Sequence, residues 1–127
     1  MNVVDSSGWI EYFTKDTNAE FFIPPIRDLE NLIVPTICIY EVFKRLFLER
    51  GEEAALQAVG VMSHGREIDL NRKTAMEAAQ ISLGLKLAMA DSIILATARA
   101  RDAMLWTQDE HFKDIEGVQY IEKKRPE

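Results

Sequence analysis

The chain has 127 residues, a formal net charge of −6 and a sequence pI of about 5.0. This length predicts a single domain, residues 1–127, whose core is large enough to fold without disulfides or structural metals. The acidic charge argues against the broad basic surface of many DNA-binding domains, although divalent cations held by carboxylates would reverse the field locally.

The pattern contains no secretion or membrane signal. The single cysteine, Cys38, cannot form an intramolecular disulfide, and the N-terminus lacks a basic region before its apolar residues. The longest apolar stretch, Ile81 to Ala98, is interrupted by Lys86 and Asp91, so we expect no membrane span. A soluble cytoplasmic protein is therefore expected.

The first elements predict a buried strand followed by helical turns. Residues Asn2–Val4 show no alternation of polar and apolar positions, which is typical of a strand covered on both faces. One or two helical turns begin near Trp9, and a second helix follows that Pro24-Pro25 must end or kink. The apolar run Leu32–Val34, stopped by Pro35, predicts the second strand.

The middle of the chain predicts two helices and an edge strand. Thr36 is expected to N-cap a helix from Ile37 that ends or bends at Gly51. A second helix runs from Glu52 to Met62. The alternating segment Arg66–Leu70 predicts a third strand at a sheet edge.

The last third predicts two more helices and two strands. Asn71 is a good N-cap for a helix from Arg72 to Leu83 that Gly84 would terminate. Its expected inner face is Ala75, Met76, Ala79 and Leu83.

The next helix, Ala90–Ala103, is apolar nearly all round its first half, which predicts burial on every side. Strands are expected at Met104–Trp106 and Val118–Ile121. This alternation of strands and helices predicts an α/β domain with a mostly parallel sheet.

Four acidic residues occupy unusual positions in this order of elements. Asp5 and Asp109 come just after buried strands, so both should lie at the carboxyl edge of the sheet, where sites are built in open α/β sheets. Asp91 lies in the first turn of the most apolar helix. Glu41 lies in the second turn of a helix that follows a strand, near the same edge.

Each acid also has a purely structural explanation. Asp5, or the serines after it, would N-cap a helix and stabilise it by about 1 kcal/mol. Asp91 would interact favourably with the helix dipole and contribute about 0.3–1 kcal/mol of stability. Glu41 would pair with Arg45, and Asp109 would form a turn.

Taken together, these explanations are weaker than a metal site. Four carboxylates that converge on one edge repel one another, and burying them is costly without a cation. Oxygen ligands of this kind favour Mg²⁺ or Mn²⁺ over zinc.

The residues also resemble a known family. The strings that carry the resemblance are Val3-Val4-Asp5-Ser6-Ser7, Val34-Pro35 with Glu41-Val42, Ala90-Asp91-Ser92 through Ala98, and Thr107-Gln108-Asp109-Glu110-His111-Phe112. In this order they resemble a PIN-domain ribonuclease and are most similar to the VapC-type toxins of toxin–antitoxin pairs. One departure is Ser92, where alanine is common.

The resemblance implies a three-layer α/β/α fold and a Mg²⁺- or Mn²⁺-dependent endoribonuclease that acts on RNA. Asp5 and Asp91 would be the principal metal ligands. Glu41 and Asp109 would complete the shell or orient water, and Asp109 occupies the least constant position of such sites. The hydroxyls of Ser6 and Thr107 match positions that support the site.

Other reactive residues are expected to be structural. Cys38 should pack rather than react, and His64 and His111 lack a partner at metal-ligand spacing. The methionines are expected to fill the core. Basic side chains near the edge either steer RNA or form solvated helix faces, and we favour the second; they are Lys44, Arg45, Arg99 and Arg101.

The sequence is compatible with several functions. The leading interpretation is an RNase toxin held in check by a cognate antitoxin. The aromatic N-terminal half suits an antitoxin groove or the interface of a homodimer, which we expect. The alternatives are a non-toxin RNA-processing nuclease, a non-catalytic PIN-like binding module and a phosphoacceptor domain. The last is disfavoured because Asp5 follows the first strand rather than an internal one.

Overall fold

Five parallel strands form one sheet in the computed structural model, which describes residues 1–124. The strands are β1 (Asn2–Val4), β2 (Leu32–Pro35), β3 (Arg66–Ile68), β4 (Met104–Thr107) and β5 (Val118–Tyr120). Their spatial order is β3-β2-β1-β4-β5, so the predicted third strand does lie at an edge. All pairings are parallel, and Val3 of the central strand pairs with Ile33 and Leu105.

Helices connect the strands and flank the sheet, which confirms the predicted α/β/α architecture. They are α1 (Ser6–Thr14), α2 (Ala19–Arg27), α3 (Thr36–Arg50), α4 (Glu52–Met62), α5 (Arg72–Leu85) and α6 (Met89–Ala100). Two short 3₁₀ turns, Leu29–Asn31 and Glu110–Phe112, precede β2 and follow β4.

The strand order reverses direction at the centre of the sheet. From β1 the chain moves outward through β2 to β3, and then returns to the other side of β1 with β4 and β5. The loops after β1 and β4 therefore diverge at their carboxyl ends and leave a crevice between them. In open parallel sheets this reversal point is where ligands bind.

The core lies on both faces of the central strands. Val3, Val4 and Ile33 are fully buried, as expected for strands covered on both sides. Gly8 lets α1 pack closely on this core, because a Cβ atom at this position would lie 2.6 Å from the Phe22 ring. A larger residue there would force the ring or the helix to move.

Helix α5 presents a different face to the core from the one predicted. The buried residues are Thr74 and Ala78, whereas Met76 is 63% exposed and Leu83 is 84% exposed. The pattern misled because small residues face the protein and large apolar ones face solvent, the reverse of a typical amphipathic helix. The expectation that methionines fill the core is likewise wrong for Met76 and Met89, although Met62 is fully buried.

Several helix ends also differ from the prediction. Thr36 is the first residue of α3 and makes no capping hydrogen bond; the cap position is Pro35. Gly84 lies inside α5, which ends at Leu85 with Lys86 in the left-handed conformation. Helix α2 continues through Pro24-Pro25 to Arg27. Asn71 does cap α5, accepting a hydrogen bond from the Thr74 amide at 2.9 Å.

Within residues 1–124, no single helix is long and apolar enough to cross a membrane. The pair α5 and α6 meets that test only when both helices are counted together across a bend of 117°.

Candidate active site

A cleft of about 370 Å³ opens at the carboxyl ends of β1 and β4, where the strand order reverses. We call it the acidic cleft, because all four predicted carboxylates line it. Its lining consists of Asp5, Ser6, Ser7, Ile10, Tyr40, Glu41, Lys44, Arg45, Leu48, Asp91, Ile94 and Asp109. Residues from α1, α3, α6 and the β4 loop thus meet at one place, although they are far apart in sequence.

Asp5 lies at the base of the cleft and is only 3% exposed. It is the N-cap of α1, and its Oδ1 accepts a hydrogen bond from the Gly8 amide at 2.9 Å. The Ser7 hydroxyl donates to Oδ1 at 2.8 Å, and the Thr107 hydroxyl donates to Oδ2 at 2.6 Å. The sequence treated capping and ligand roles as alternatives, but the geometry allows both, since a carboxylate has about four acceptor positions.

Burial in the cleft raises the pKa of two of its carboxyls. Burial raises the pKa of Asp5 from 3.8 to about 7, against the opposing effect of its hydrogen bonds. Burial, followed by the negative charges of Asp109 and Glu41, raises the pKa of Asp91 from 3.8 to about 6. Both groups are therefore poorly compensated in the protein alone.

Glu41 is held by a hydroxyl rather than by a cation. The Ser6 Oγ donates a hydrogen bond to Glu41 Oε1 at 2.6 Å, across 35 positions of sequence. Arg45, which the sequence offered as a partner of Glu41, instead pairs with Glu49 on the same helix. Ser6 therefore fixes the Glu41 carboxylate at the rim of the cleft, while Ser7 rather than Ser6 contacts Asp5.

Thr107 connects two of the acidic residues. It is fully buried, its hydroxyl donates to Asp5, and the same oxygen accepts the Asp109 amide at 2.9 Å. One side chain at the end of β4 thereby orients the carboxylate after β1 and the backbone that carries Asp109. This is the kind of outer contact that orients metal ligands.

We expect Thr107→Val to weaken divalent-metal binding about 10- to 100-fold, because valine keeps the shape but cannot hold Asp5 and Asp109. Titration calorimetry with Mn²⁺ measures the change. Thr107→Ser retains the hydroxyl and serves as the matched control. Equal affinities for the valine and serine variants would show that the hydroxyl does not orient the site.

His111 is the residue of this region that sequence reasoning missed. Its Nδ1 lies 3.1 Å from Asp109 Oδ1 and 3.9 Å from Asp91 Oδ2. One possible metal-ligand atom from each of these three residues lies within 4.8 Å of the other two. The sequence spacing gave His111 no metal-binding partner, because it does not record the 3₁₀ turn after Asp109 that brings the imidazole beside the two carboxylates.

The cationic side chains near the cleft do not neutralise it. Lys44 and Arg45 line the cleft, whereas Arg99 and Arg101 are not part of its lining. Among residues 1–124, no lysine or arginine forms an ion pair with any of the four carboxylates. Lys44 instead lies over the Tyr40 ring, with its Nζ 5.6 Å from the ring centroid.

These contacts fit a hard divalent cation. The possible metal ligands in its lining are carboxylate and hydroxyl oxygens, and the His111 imidazole lies beside Asp91 and Asp109. Mg²⁺ and Mn²⁺ prefer such oxygen ligands, and a cation would stabilise the ionised forms of Asp5 and Asp91, which burial disfavours.

Cys38 has the structural role that the sequence predicted. Its thiol is fully buried and packs 3.8 Å from the Val4 carbonyl oxygen. Burial raises the thiol pKa far above its ordinary value, so the reactive thiolate does not form near neutral pH.

The comparisons with known proteins agree with this fold. The sequence matches the PIN domain family over residues 3–118, nearly the whole chain. The protein therefore belongs to the PIN domain family. A comparison with curated protein sequences finds no match.

Solved structures with the same fold come from several bacteria. A toxin–antitoxin complex from Klebsiella pneumoniae has a TM-score of 0.79 and 23% identity, with 94% of this chain and 96% of that chain covered. A DNA-bound VapBC from Salmonella typhimurium has a TM-score of 0.75 and 18% identity, with 96% and 98% covered. VapC20 from Mycobacterium tuberculosis, a sarcin–ricin loop cleaving toxin, has a TM-score of 0.74 and 14% identity, with 88% and 92% covered.

Proposed function

We propose that this protein is a divalent-metal-dependent endoribonuclease and the toxin of a toxin–antitoxin pair. The observation that carries the proposal is the acidic cleft itself. Four carboxylates line it at the reversal point of the sheet, and no lysine or arginine within residues 1–124 pairs with them. Structural packing alone gives no reason to collect this much unpaired negative charge.

The relatives support the choice of reaction and of biological role. One neighbour is described as a toxin that cleaves the sarcin–ricin loop, an RNA target, and others are toxin–antitoxin complexes. All cover nearly the full length of this chain and of their own.

In this proposal Asp5, Asp91 and Asp109 hold Mg²⁺ or Mn²⁺, and His111 is placed beside two of them. When bound there, such a cation would lower the pKa of a coordinated water and stabilise negative charge on the phosphodiester oxygens. Glu41 has one oxygen fixed by Ser6, which leaves the other to accept a hydrogen bond from the attacking water. Lys44 at the rim attracts the RNA backbone toward an otherwise acidic surface.

The antitoxin and the second copy of a homodimer require apolar surface. Trp9 and Phe22 are fully buried and belong to the core, so the aromatic residues of the N-terminal half contribute less surface than their number suggests. Helix α3 does expose Tyr40, Leu48 and Phe47, and the first two line the acidic cleft. An antitoxin seated on this face would cover the entrance to the acidic cleft.

The test of the reaction is cleavage of total RNA with the purified protein, followed by mapping of the cut ends. Cleavage is expected with Mg²⁺ or Mn²⁺ and none after chelation with EDTA. Cleavage that persists in EDTA, or no cleavage with either cation, would contradict the proposal.

The test of the toxin role is overproduction of the protein without a partner. We expect growth to stop, because an unrestrained endoribonuclease depletes its RNA target, and to resume when the cognate antitoxin is supplied. Plating efficiency after induction measures the effect. Normal growth of cells that contain protein active on RNA in vitro would favour the non-toxin RNA-processing nuclease.

A further inference from the structure

A second cleft, of about 350 Å³, opens on the β5 side of the active site. It shares Ser7 and Asp109 with the acidic cleft, so the two are neighbours across a single wall. Its remaining lining is Gln108, Glu110, Tyr120, Glu122 and Lys123. A volume of this size lies in the lower part of the range of small-ligand pockets, about 300–1,000 Å³.

The floor of the second cleft is fixed by a buried polar network. Gln108 is only 4% exposed, and its Nε2 donates to Glu11 Oε1 at 3.0 Å. The Asn18 Nδ2 donates to Gln108 Oε1 at 3.0 Å and to the Glu122 carbonyl at 3.1 Å. Gln108 and the segment that carries Glu122 are therefore held against α1 and the start of α2, and the floor is preorganised.

The outer wall is fixed by the sheet. Tyr120 is the last residue of β5 and pairs in register with Thr107 of β4. The next amide, that of Ile121, donates to the Thr107 carbonyl at 3.1 Å. The half-buried ring of Tyr120 thus lies one strand away from the residue that holds Asp5 and Asp109.

The chemistry of this lining suits a nucleotide. An aromatic face stacks on any base, and the Lys123 ammonium attracts a phosphate. Glu110 and Glu122 add two carboxylates that only accept hydrogen bonds. Such acceptors pair with exocyclic amino groups, as in carboxylate recognition of cytosine N4, and they repel the carbonyl oxygens of uracil.

We propose that the second cleft binds the base of the nucleotide next to the scissile phosphate and favours bases with an exocyclic amino group over uracil. The inference rests on the proposed ribonuclease function, because it places that nucleotide relative to the acidic cleft. Tyr120 stacks on the base, Glu110 and Glu122 accept its amino group, and Lys123 contacts its phosphate. The cleft is thereby a specificity subsite of the same reaction.

The experiment measures binding and cleavage separately. Fluorescence anisotropy follows short single-stranded RNAs, identical except for one nucleotide, on the Asp91→Asn background, where cleavage does not interfere. Cut-site mapping on the same RNAs uses protein with Asp91 intact. Tyr120→Ala is expected to weaken binding roughly five- to a hundredfold, the range of one lost base stack, and Tyr120→Phe to retain it.

Two exposed variants test the subsite without disturbing the sheet. Glu122→Gln is expected to reduce the preference against uracil, because only Glu110 then remains as a charged acceptor, and Lys123→Gln to weaken binding of all the RNAs equally. Lys73→Gln on α5, an exposed lysine outside both clefts, is the matched control and should change neither. These variants decide the question if Tyr120→Ala fails to fold.

The outcomes separate the subsite from the reaction. If the wild type cleaves RNA while Tyr120→Ala, Glu122→Gln and Lys123→Gln keep its affinity and base preference, the subsite is overturned and the ribonuclease stands. If the wild type does not cleave but binding depends on Tyr120, the reaction is wrong and the cleft remains a nucleotide site. If no RNA binds, both are overturned.

Discussion

Asp91→Asn is expected to reduce metal-dependent RNA cleavage by more than about 100-fold. Losing a residue that only orients a metal ligand costs about 10- to 100-fold, and losing a ligand itself should cost more. The change replaces one charged oxygen at the centre of the acidic cleft and little else. Within residues 1–124 the Asp91 side chain makes no hydrogen bond whose loss would destabilise the fold; the His111 Nδ1 atom lies 3.9 Å from its Oδ2 atom. The variant should therefore fold normally, and the loss should appear in turnover and in Mn²⁺ affinity together.

The matched control for Asp91→Asn is Glu53→Gln. Glu53 is also a first-turn acid, on α4, but it is exposed and lies outside both clefts. If Asp91 only favoured its helix dipole, both variants would lose about 0.3–1 kcal/mol of stability and keep full activity. Full cleavage activity in purified Asp91→Asn would remove Asp91 from the metal site.

Asp5→Asn is a less selective test of the same site. Asparagine caps a helix as well as aspartate does, so the bond from the Gly8 amide survives. In the folded protein the Thr107 hydroxyl donates to Asp5 and accepts a hydrogen bond from the Asp109 backbone amide. A side-chain NH₂ group of asparagine at position 5 would face this hydroxyl as a second donor and disturb both bonds. Cleavage is expected to be lost, but through misplacement of Asp109 as well as through the missing charge.

Much of the acidic cleft was predictable from the sequence because parallel strands place their carboxyl ends at one edge. Asp5 and Asp109 follow β1 and β4, which are adjacent and lie on either side of the reversal point. That placement needs only strand identity and direction. The partners of each carboxylate needed coordinates, since Ser6 reaches Glu41 across 35 positions and the i+4 neighbour Arg45 turns elsewhere.

The errors in the fold prediction have a common physical origin. Periodicity assumes that large apolar side chains face the core, and α5 violates this by burying Thr74 and Ala78 while it exposes Met76 and Leu83. Small residues bring helices into close contact, which no hydrophobicity pattern records. His111 was missed for a related reason: a 3₁₀ turn returns it to Asp109, two residues back, at a spacing that is not typical of metal ligands.

Metal-free protein is expected to lose stability as the pH rises from about 4 to 7, the opposite of a protein with paired carboxylates. The pKa values of Asp5 and Asp91 are about 7 and about 6 in the folded protein, above their ordinary value of 3.8. Between the ordinary pKa of 3.8 and these raised values, the folded state binds more protons than the unfolded state. The stability that these protons contribute is therefore present below pH 4 and is lost as the pH rises through 6–7.

Mg²⁺ or Mn²⁺ should reverse this trend. Protons compete with the cation at pH 5, whereas above pH 7 the deprotonated carboxylates bind it, and a free concentration of 100 times Kd adds about 2.7 kcal/mol. Urea unfolding at pH 5 and pH 8, with EDTA or with Mn²⁺, measures all four states. Asp91→Asn should flatten both dependences and Glu53→Gln should leave them unchanged. A metal-free wild type that is as stable at pH 8 as at pH 5 would show that these carboxylates are already compensated, and the cleft would then have no need of a cation.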